Sequence, residues 1–417
     1  MYNALAAHGC LLILLTWAVS RKYGTVVNPV TYFAGFYGVQ TVISPALYVA
    51  LEISTAADEN AIVITVGFSA LYFACIAVPF LLNRAPFYRW LRFATNHALP
   101  RMPRPSMSTY VAIVLQFALF FGVLIVASGT TQWLTESRTA YQESRAGVGV
   151  WWSLSQAMLL LLVAAFLQRK RRSAFATAAI CLTSACGAYF LGSKSFMLFP
   201  FVIGAFYYQY RVRPIPRIVV LLGALGFVVG IFALQFLQGT AATLLDAVAY
   251  FDYFPNTARF IQDFNERFQH TWGETWLSNL WQYVPRGLYP GKPFTYGQMV
   301  IMEDYNPGAA ELGATPGILP WAAPYLDLGW VGVMFDGLLT GLIARGAFDL
   351  LRRRGDLASI VTFGQIGLIL GQFFFGAPFL VFWLWLAAEI AVFRVANGIG
   401  GLIRQRLRAV GVLRPVR

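Results

Sequence analysis

AIVITVGFSALYFACIAVPFLL, residues 61–82, is a stretch in which no side chain carries a formal charge. An α-helix needs roughly 20 apolar residues to cross the hydrocarbon core of a bilayer, and this stretch is long enough. Similar apolar runs recur at 4–20, 29–51, 108–128, 150–168, 174–191, 196–210, 217–237, 325–347, 357–375 and 378–397. The sequence therefore predicts an all-α integral membrane protein with about eleven transmembrane helices.

The composition also indicates a membrane protein, since 58% of the residues are hydrophobic and only 12% are charged. The formal net charge of +13 raises the question of nucleic-acid binding. However, the cations lie in short loops between apolar runs, as orientation signals do, so we exclude nucleic acid as a partner. The four cysteines fall inside apolar runs and are predicted to be small core residues. No histidine pair has metal-ligand spacing, and we expect neither a metal nor another cofactor.

Charge predicts the orientation of these helices. Successive loops between spans lie on opposite sides of the membrane, and this alternation assigns 24 of the 31 Lys and Arg residues to one side. Because positively charged loops stay in the cytoplasm, that side is predicted to be cytoplasmic, with the C-terminus on it and the N-terminus outside. The outer side then holds seven cations: Arg138, Arg145, Lys194, Arg259, Arg267, Arg286 and Lys292. Cations placed against the rule suggest that an anionic substrate binds on the outer face.

Four regions follow from this pattern. Residues 1–237 are predicted to form a bundle of spans one to eight, and residues 238–324 a large outer loop with amphipathic helices. Residues 325–397 are predicted to form spans nine to eleven, and residues 398–417 a basic cytoplasmic tail.

A few residues inside the spans have predicted roles. Asp336 and Glu389 are functional candidates because of their depth, although a hydrogen bond between helices is the more common role of such a residue. Glycines four residues apart are predicted to be close-packing points between spans: Gly226 with Gly230, and Gly337 with Gly341.

The long loop contains two predicted amphipathic helices. From Asn256, a predicted N-cap, Phe260, Phe264 and Phe268 recur at helical spacing. A second helix ends before a proline at 285 and has its apolar residues at Trp276, Leu277, Leu280, Trp281 and Val284. Helices of this kind lie along the membrane interface.

Residues 285–293, PRGLYPGKP, suggest an anion site. Three prolines stiffen the backbone that holds Arg286 and Lys292, and a rigid loop positions side chains well. Arginine can donate two parallel hydrogen bonds to phosphate oxygens, and lysine adds a point charge. The alternative is that both cations lie near lipid headgroups or pair with Glu303 and Asp304.

Other cations on the outer side are further candidates for anion binding. Lys194 lies in a short turn, where it either faces the site or extends to the interface. Arg259 and Arg267 are each four residues from Asp263, so helix-surface ion pairs are the alternative. Arg138 and Arg145 each have a glutamate nearby in the sequence.

A general base must reach the proton that it removes, and the sequence alone does not show reach. Our main candidates are His270, Glu274 and Asp327. The other acids predicted on this side are Asp252, Glu303 and Glu311.

Three motifs carry a resemblance to a known family. Gly192-Ser193-Lys194-Ser195 is similar to a Gly-x-Arg-Ser/Gly turn, with Lys194 where arginine is usual. Residues 285–293 are similar to a Pro-Arg…Pro-x-Lys-Pro stretch, and residues 313–317 with 325–332 resemble the entry into a late span. In these motifs the chain resembles the bacterial O-antigen polymerases, or oligosaccharide repeat-unit polymerases, which are multi-span and GT-C-like.

The resemblance implies a substrate, an activity and a location. The substrate would be an undecaprenyl-pyrophosphate-linked oligosaccharide in the outer leaflet of the bacterial inner membrane, and the outer loop would be periplasmic. The enzyme would be a metal-independent glycosyltransferase that moves the growing chain onto a sugar hydroxyl of an incoming unit. Membrane lipid and a chain-length regulator (a polysaccharide copolymerase) would be its partners.

Two other functions remain open. An O-antigen ligase would use the same cations with a different acceptor, and its loss would leave long chains on the carrier lipid. A transporter or flippase would favour repeated halves and ionisable groups at mid-membrane, whereas the polar residues here concentrate in the outer loop.

Overall fold

A computed structural model describes residues 1–51, 57–84, 87–98, 107–144, 147–168, 173–237, 252–284, 289–308, 310–311 and 317–368, with single positions at 105 and 243 and several between 391 and 409. Every regular element among these residues is helical, as the sequence predicts.

The first twelve helices lie before the long loop. Helices α1 to α6 are Tyr2–Tyr23, Pro29–Gly38, Ser44–Ala50, Glu59–Leu81, Tyr88–Ala98 and Met107–Ser128, and a π-helical turn at Val39–Ile43 joins α2 to α3. Helices α7 to α12 are Gln132–Thr135, Ser137–Glu143, Gly149–Leu167, Ala174–Phe190, Lys194–Arg211 and Arg217–Leu237.

Six further helices follow. Helices α13 to α18 are Tyr253–Gln262, Phe264–Arg267, Glu274–Ser278, Met299–Tyr305, Ala322–Arg353 and Leu357–Thr362. A 3-10 turn at Asn279–Tyr283 follows α15, and a π-helical turn at Phe363–Gly367 follows α18.

Side-chain caps fix the starts of several helices. Asn28, Asp58, Ser173 and Asp356 each accept a hydrogen bond from the backbone N–H three residues later. Such a cap satisfies one of the donors that the first helical turn leaves without a partner.

Five described helices are long and apolar enough to cross a membrane: Tyr2–Tyr23, Glu59–Leu81, Thr109–Ser128, Gly149–Leu167 and Ala322–Arg353. These helices indicate a membrane-embedded protein. Every predicted run from 4–20 to 325–347 coincides with helix. The described part of 357–375 is helical to 367, and the rest of it and nearly all of 378–397, including Glu389, lie outside the described residues.

The chain divides into two compact units. The first comprises Met1–Arg89, Ile215–Asp349 and Ile366–Pro378, and the second comprises Trp90–Pro214, Leu350–Gln365 and Phe379–Arg417. The division into four regions that the sequence suggests stays a prediction.

In the first unit, α1 and α13 pack against α4, and α17 contacts α4 through a buried polar pair. The Tyr72 hydroxyl donates to Asp336 Oδ2 at 2.8 Å, and both side chains are buried. The Trp321 indole N–H donates to Ser69 Oγ at 3.1 Å on the same face of α4. Asp336 therefore makes the helix-to-helix hydrogen bond that is the common role of an acid at this depth.

The side chain of Arg345, on α17, caps the C-terminal end of α4. Its Nη1 donates to the carbonyl oxygens of Pro79 (2.7 Å), Phe80 (3.1 Å) and Leu82 (3.0 Å), and its Nε donates to Asp349 (3.1 Å). The last carbonyls of a helix lack intrahelical partners, and a cation is favoured beside them.

A break divides α17 near its start. Leu328 and Gly329 depart from helical geometry, and Gly329 has φ 59° and ψ −145°. A residue with a Cβ is strained in this region of backbone conformation, so glycine is required here.

In the second unit, α9 is the central helix and is buried from 155 to 167. Helices α6, α10, α11 and α18 pack against it. Trp133 on α7 is fully buried, and its indole N–H donates to Ser128 Oγ at 3.0 Å.

The four cysteines follow the prediction only in part. Cys75 and Cys181 are buried, whereas Cys10 and Cys186 are exposed on their helices. An apolar run gives a helix but does not tell which face of that helix meets another helix.

One of the two predicted glycine contacts is present. A Cβ at Gly337 or Gly341 would lie within 3 Å of α4, whereas no described atom lies within 4 Å of a Cβ at Gly226 or Gly230. The prediction is confirmed for the pair on α17 and is not met for the pair on α12.

We expect Gly341→Ala to destabilise the first unit. The new Cβ would lie 2.4 Å from the carbonyl oxygen of Ile76, a backbone atom that cannot move independently. Overpacking of this kind costs about 1–3 kcal/mol, measurable as a lower thermal unfolding midpoint in detergent. Gly67→Ala on α4 is the matched control, because no described atom lies within 4 Å of its Cβ. Equal midpoints for Gly341→Ala and the wild type would contradict the close α4–α17 contact.

Candidate functional site

The connecting segment, residues 238–320, belongs to the first unit, and its helix α13 packs against α4 and against a later part of the same segment. The Asn256 amide donates to the Gly317 carbonyl at 3.1 Å, and Thr257 Oγ1 accepts from the Leu319 N–H at 2.8 Å. The helix begins at Tyr253, so the prediction of Asn256 as N-cap is wrong. Its amide donates to a backbone carbonyl in a distant part of the segment instead of capping the start of its own helix.

A hydrophobic cluster lies beneath the cations of this segment. Phe260 and Phe264 are buried with Ile301, Ile318 and Leu326. Phe268 packs against the same cluster, so all three predicted phenylalanines line it, and their spacing fixes which face of α13 points away from the core. Arg259 lies on that outward face.

Arg259 and Arg267 both contact the ring of Tyr305. Their Cζ atoms lie 4.9 Å and 4.7 Å from the ring centroid. The Tyr305 hydroxyl donates to Asp263 Oδ2 at 3.1 Å. Burial, and secondarily the Asp263 carboxylate, raises the pKa of Tyr305, so this hydroxyl stays protonated and keeps donating.

The two arginines differ in how fully their donors are used. Arg267 Nη2 lies 2.7 Å from Asp304 Oδ2 and donates to the Asp304 carbonyl at 2.8 Å. Arg259 Nε lies 3.7 Å from Asp263 Oδ2, and half of the Arg259 side chain is exposed. Arg259 thus has a fixed position and a guanidinium open to solvent, whereas Arg267 joins α14 to α16.

Contacts with residues 278 and 281 hold both flanks of the predicted anion loop, residues 285–293. The rings of Trp281 and Tyr289 stack at 5.4 Å, and the Gly297 N–H donates to Ser278 Oγ at 2.9 Å. Lys292 Nζ lies 5.0 Å from the centroid of the Tyr296 ring. Arg286 lies outside the described residues.

Asp327 is fully buried, and backbone donors surround its carboxylate. It accepts from the N–H groups of Gly273 (3.2 Å), Thr275 (3.1 Å) and Trp276 (2.9 Å) and from the Thr271 hydroxyl. Hydrogen bonds within the fold engage both oxygens of this carboxylate, and a general base must reach a substrate proton, so the role of Asp327 as a base stays a prediction. The geometry therefore assigns Asp327 to holding the 271–276 turn.

His270 and Glu274 flank this turn. His270 is half-buried among Phe264, Tyr325 and Trp272, and its Nδ1 donates to the Leu326 carbonyl at 3.3 Å. Glu274 is the first residue of α15 and is exposed. Both side chains have a group that can meet solvent or a ligand.

Two other acids of the segment have shifted pKa values. Glu303 accepts from the N–H groups of Gly308 (2.6 Å) and Ala310 (3.0 Å), which lower the pKa of its carboxyl. Burial raises the pKa of Asp252, whose Oδ1 would lie 2.7 Å from a Cβ at Gly317. A base works best with a pKa near the working pH. The raised pKa of Asp252 moves toward that pH, whereas the lowered pKa of Glu303 moves away from it.

The second unit holds the other predicted cations. Arg138 Nη1 donates to the Gly192 carbonyl at 3.2 Å, and its guanidinium lies 5.0 Å from the Tyr141 ring. Gly192 has φ 66°, and a Cβ there would lie 2.4 Å from the Ser137 carbonyl oxygen, so the turn requires glycine. Lys194 begins α11, with its side chain outside the described atoms, and Arg145 lies outside the described residues.

The structure places the predicted residues in two units and adds one residue, Tyr305, that the sequence did not single out. Arg259 and Lys292 belong to the first unit, and Arg138 and the turn before Lys194 belong to the second. Tyr305 and Asp252 gain their significance from contacts far along the chain, which no local pattern signals. Within the described residues, no group of three His, Cys, Asp or Glu side chains could hold a metal ion.

We expect Asp327→Ala to loosen the 271–276 turn. Removing the carboxylate leaves three backbone N–H groups without their acceptor, at about 1–3 kcal/mol for each buried donor left unpaired. Hydrogen exchange of residues 270–278 should accelerate strongly, while Glu274→Ala, an exposed acid on the same turn, should leave it unchanged. Unaltered exchange in Asp327→Ala would show that the carboxylate is not the support of this turn.

Comparisons with known proteins give no relative for this chain. No family model, no curated protein and no solved structure matches it. Function must therefore be inferred from the residues and contacts described above.

Proposed function

We propose that this protein polymerises lipid-linked oligosaccharide repeat units at the periplasmic face of a bacterial inner membrane. It moves the growing chain from undecaprenyl pyrophosphate to a hydroxyl of an incoming lipid-linked unit. The proposal includes eleven spans, a periplasmic N-terminus and a cytoplasmic C-terminus. It is supported by the apolar helices, by the cation distribution and by the three motifs at 192–195, 285–293 and 313–332.

The single observation that carries the proposal is the state of Arg259. Its guanidinium is held over Tyr305, its side chain is half exposed, and its ion pair within the described residues is a long one, with Asp263. A leaving pyrophosphate gains negative charge in the transition state, and a donor already in position stabilises that charge without reorganisation. Arg259 meets this requirement, and Arg267, bound to Asp304, does not.

Lys292 and Arg286 complete the proposed pyrophosphate site. Lys292 lies on a loop whose flanks are bound by the Trp281–Tyr289 stack and by Ser278. It lies six positions after Arg286 on a proline-rich backbone. Lysine contributes charge and arginine contributes paired donors, so the two residue types have different tasks. Arg138, Arg145 and Lys194 belong to the other unit and stay predicted contacts of an anionic substrate group.

Asp252 is the base that the structure favours within this proposal. The acceptor hydroxyl must lose a proton when it attacks the sugar carbon that bears the pyrophosphate. Glu303 is bound to backbone N–H groups and Asp327 is buried, whereas burial raises the pKa of the Asp252 carboxyl toward the working range. His270 and Glu274 remain secondary candidates for the base, on the turn bonded to the start of α17.

We expect Arg259→Ala and Arg286→Ala to abolish chain extension while the protein still inserts and folds. The exposed Arg259–Asp263 pair and the contact with Tyr305 each contribute at most about 1 kcal/mol to stability, so the fold should survive. Polysaccharide ladders from a strain that carries only the variant provide the measurement. Arg213→Ala is the control, since Arg213 also lies over a tyrosine ring but outside the connecting segment. Normal ladders in both variants would refute the pyrophosphate site.

We expect Asp252→Asn to raise stability at neutral pH and to abolish activity. Because the folded-state pKa is raised, the folded protein binds this proton more tightly than the unfolded chain does. Stability therefore falls as pH rises from the ordinary aspartate value through the raised one, and the amide avoids that loss. The gain should vanish at a pH below the ordinary aspartate value. Full activity in Asp252→Asn would exclude Asp252 as the base.

A further inference from the structure

Residues 271–283 have their polar and apolar sides reversed relative to a water-facing helix. Thr275 and Asn279 are 2% and 6% exposed. Trp272, Leu277 and Leu280, which we call the apolar strip, are 79%, 56% and 43% exposed. A helix on a water-covered surface buries its apolar face and exposes its polar one.

Hydrogen bonds fix this reversed orientation. The buried polar side is bound to Asp327, which accepts from Thr275 N–H and from three neighbouring donors. The Asn279 amide donates to the Thr275 carbonyl at 3.4 Å. Rotating the segment to bury the strip would break these bonds and leave a buried carboxylate without donors, which is strongly unfavourable.

The backbone at Trp272 is also held in an unusual conformation. Trp272 has φ 50°, the only positive φ at a non-glycine residue in the described part of the chain. Its N–H donates to the Asp327 carbonyl at 3.1 Å, and the Thr271 N–H donates to the Leu326 carbonyl at 3.1 Å. A bulky residue adopts this region only where its surroundings enforce it, so the outward position of the indole is imposed.

The apolar strip continues an exposed apolar face of α17. Beyond the break at Gly329, Trp330, Val331 and Phe335 are 60%, 49% and 53% exposed. They belong to a helix that is long and apolar enough to cross a membrane. The 271–276 turn is bonded to residues 326 and 327 of that helix, immediately before this face begins.

We propose that the apolar strip is immersed in the lipid bilayer, at the boundary between headgroups and acyl chains. Lipid is the occupant because the turn that carries the strip is bonded to α17 just before the exposed apolar face of that helix, which is long and apolar enough to cross a membrane. Tryptophan favours that boundary, and short helices with one apolar side lie along it. The connecting segment is then partly a membrane-surface element, and this inference does not depend on the proposed enzyme activity.

Site-directed fluorescence in nanodiscs tests the proposal. Cys10 and Cys186 are replaced by Ala, whereas Cys75 and Cys181 are buried and stay. Leu277→Cys and Leu280→Cys are labelled with bimane, with Asn306→Cys, an exposed polar site of the same segment, as the matched water-facing control. We expect nitroxide-bearing lipids to remove most of the fluorescence at 277 and 280, and aqueous iodide to quench 306 alone.

Two outcomes would overturn the proposal. Iodide quenching at 277 and 280 equal to that at 306 would show that water covers the strip. Shielding from both quenchers, with disulfide formation between copies of Leu277→Cys, would show that a second copy covers it. Brominated lipids provide an independent test on protein that keeps its native cysteines. They should quench the tryptophan fluorescence of the wild type more than that of Trp272→Phe, and equal quenching would also count against lipid.

Discussion

A buried carboxylate, Asp327, is the constraint on which the connecting segment depends. Its two oxygens collect the backbone donors of the 271–276 turn and join that turn to α17. Buried ions are tolerated only when they are fully hydrogen-bonded, and this one is bonded on both oxygens. This 271–276 turn sets the positions of His270 and Glu274 and the outward direction of Trp272.

Two arginines bind the carbonyl groups at helix ends. Arg345 satisfies the last carbonyls of α4, and Arg211 donates to the carbonyls of Arg352 and Arg354 at 3.0 Å each, where α17 ends. Helix C-termini carry partial negative charge, so a cation there both neutralises the dipole and fills open acceptors. The high positive charge of the chain is therefore partly a structural feature of its helix ends.

Apolar runs predicted the helices because burial of 20 or so hydrophobic residues leaves the backbone no other way to satisfy its hydrogen bonds. The site was less predictable. Asp327 resembled a base in the sequence, since only the folded chain shows that backbone donors occupy its oxygens. Asn256 resembled a cap, but its partner is Gly317, far along the chain. Arg259 and Arg267 have the same spacing to Asp263, and only Asp304 distinguishes them.

The break at Leu328 and Gly329 determines how much of α17 is one continuous helix. The whole of Ala322–Arg353 has 32 residues and would be about 48 Å long as one straight helix, well beyond a hydrocarbon core of about 30 Å. The portion after the break, residues 330–353, measures about 36 Å, which fits that thickness with a modest tilt. The short portion before the break, which holds the buried Asp327, lies outside that length, so the break marks where the membrane-crossing part of α17 would begin.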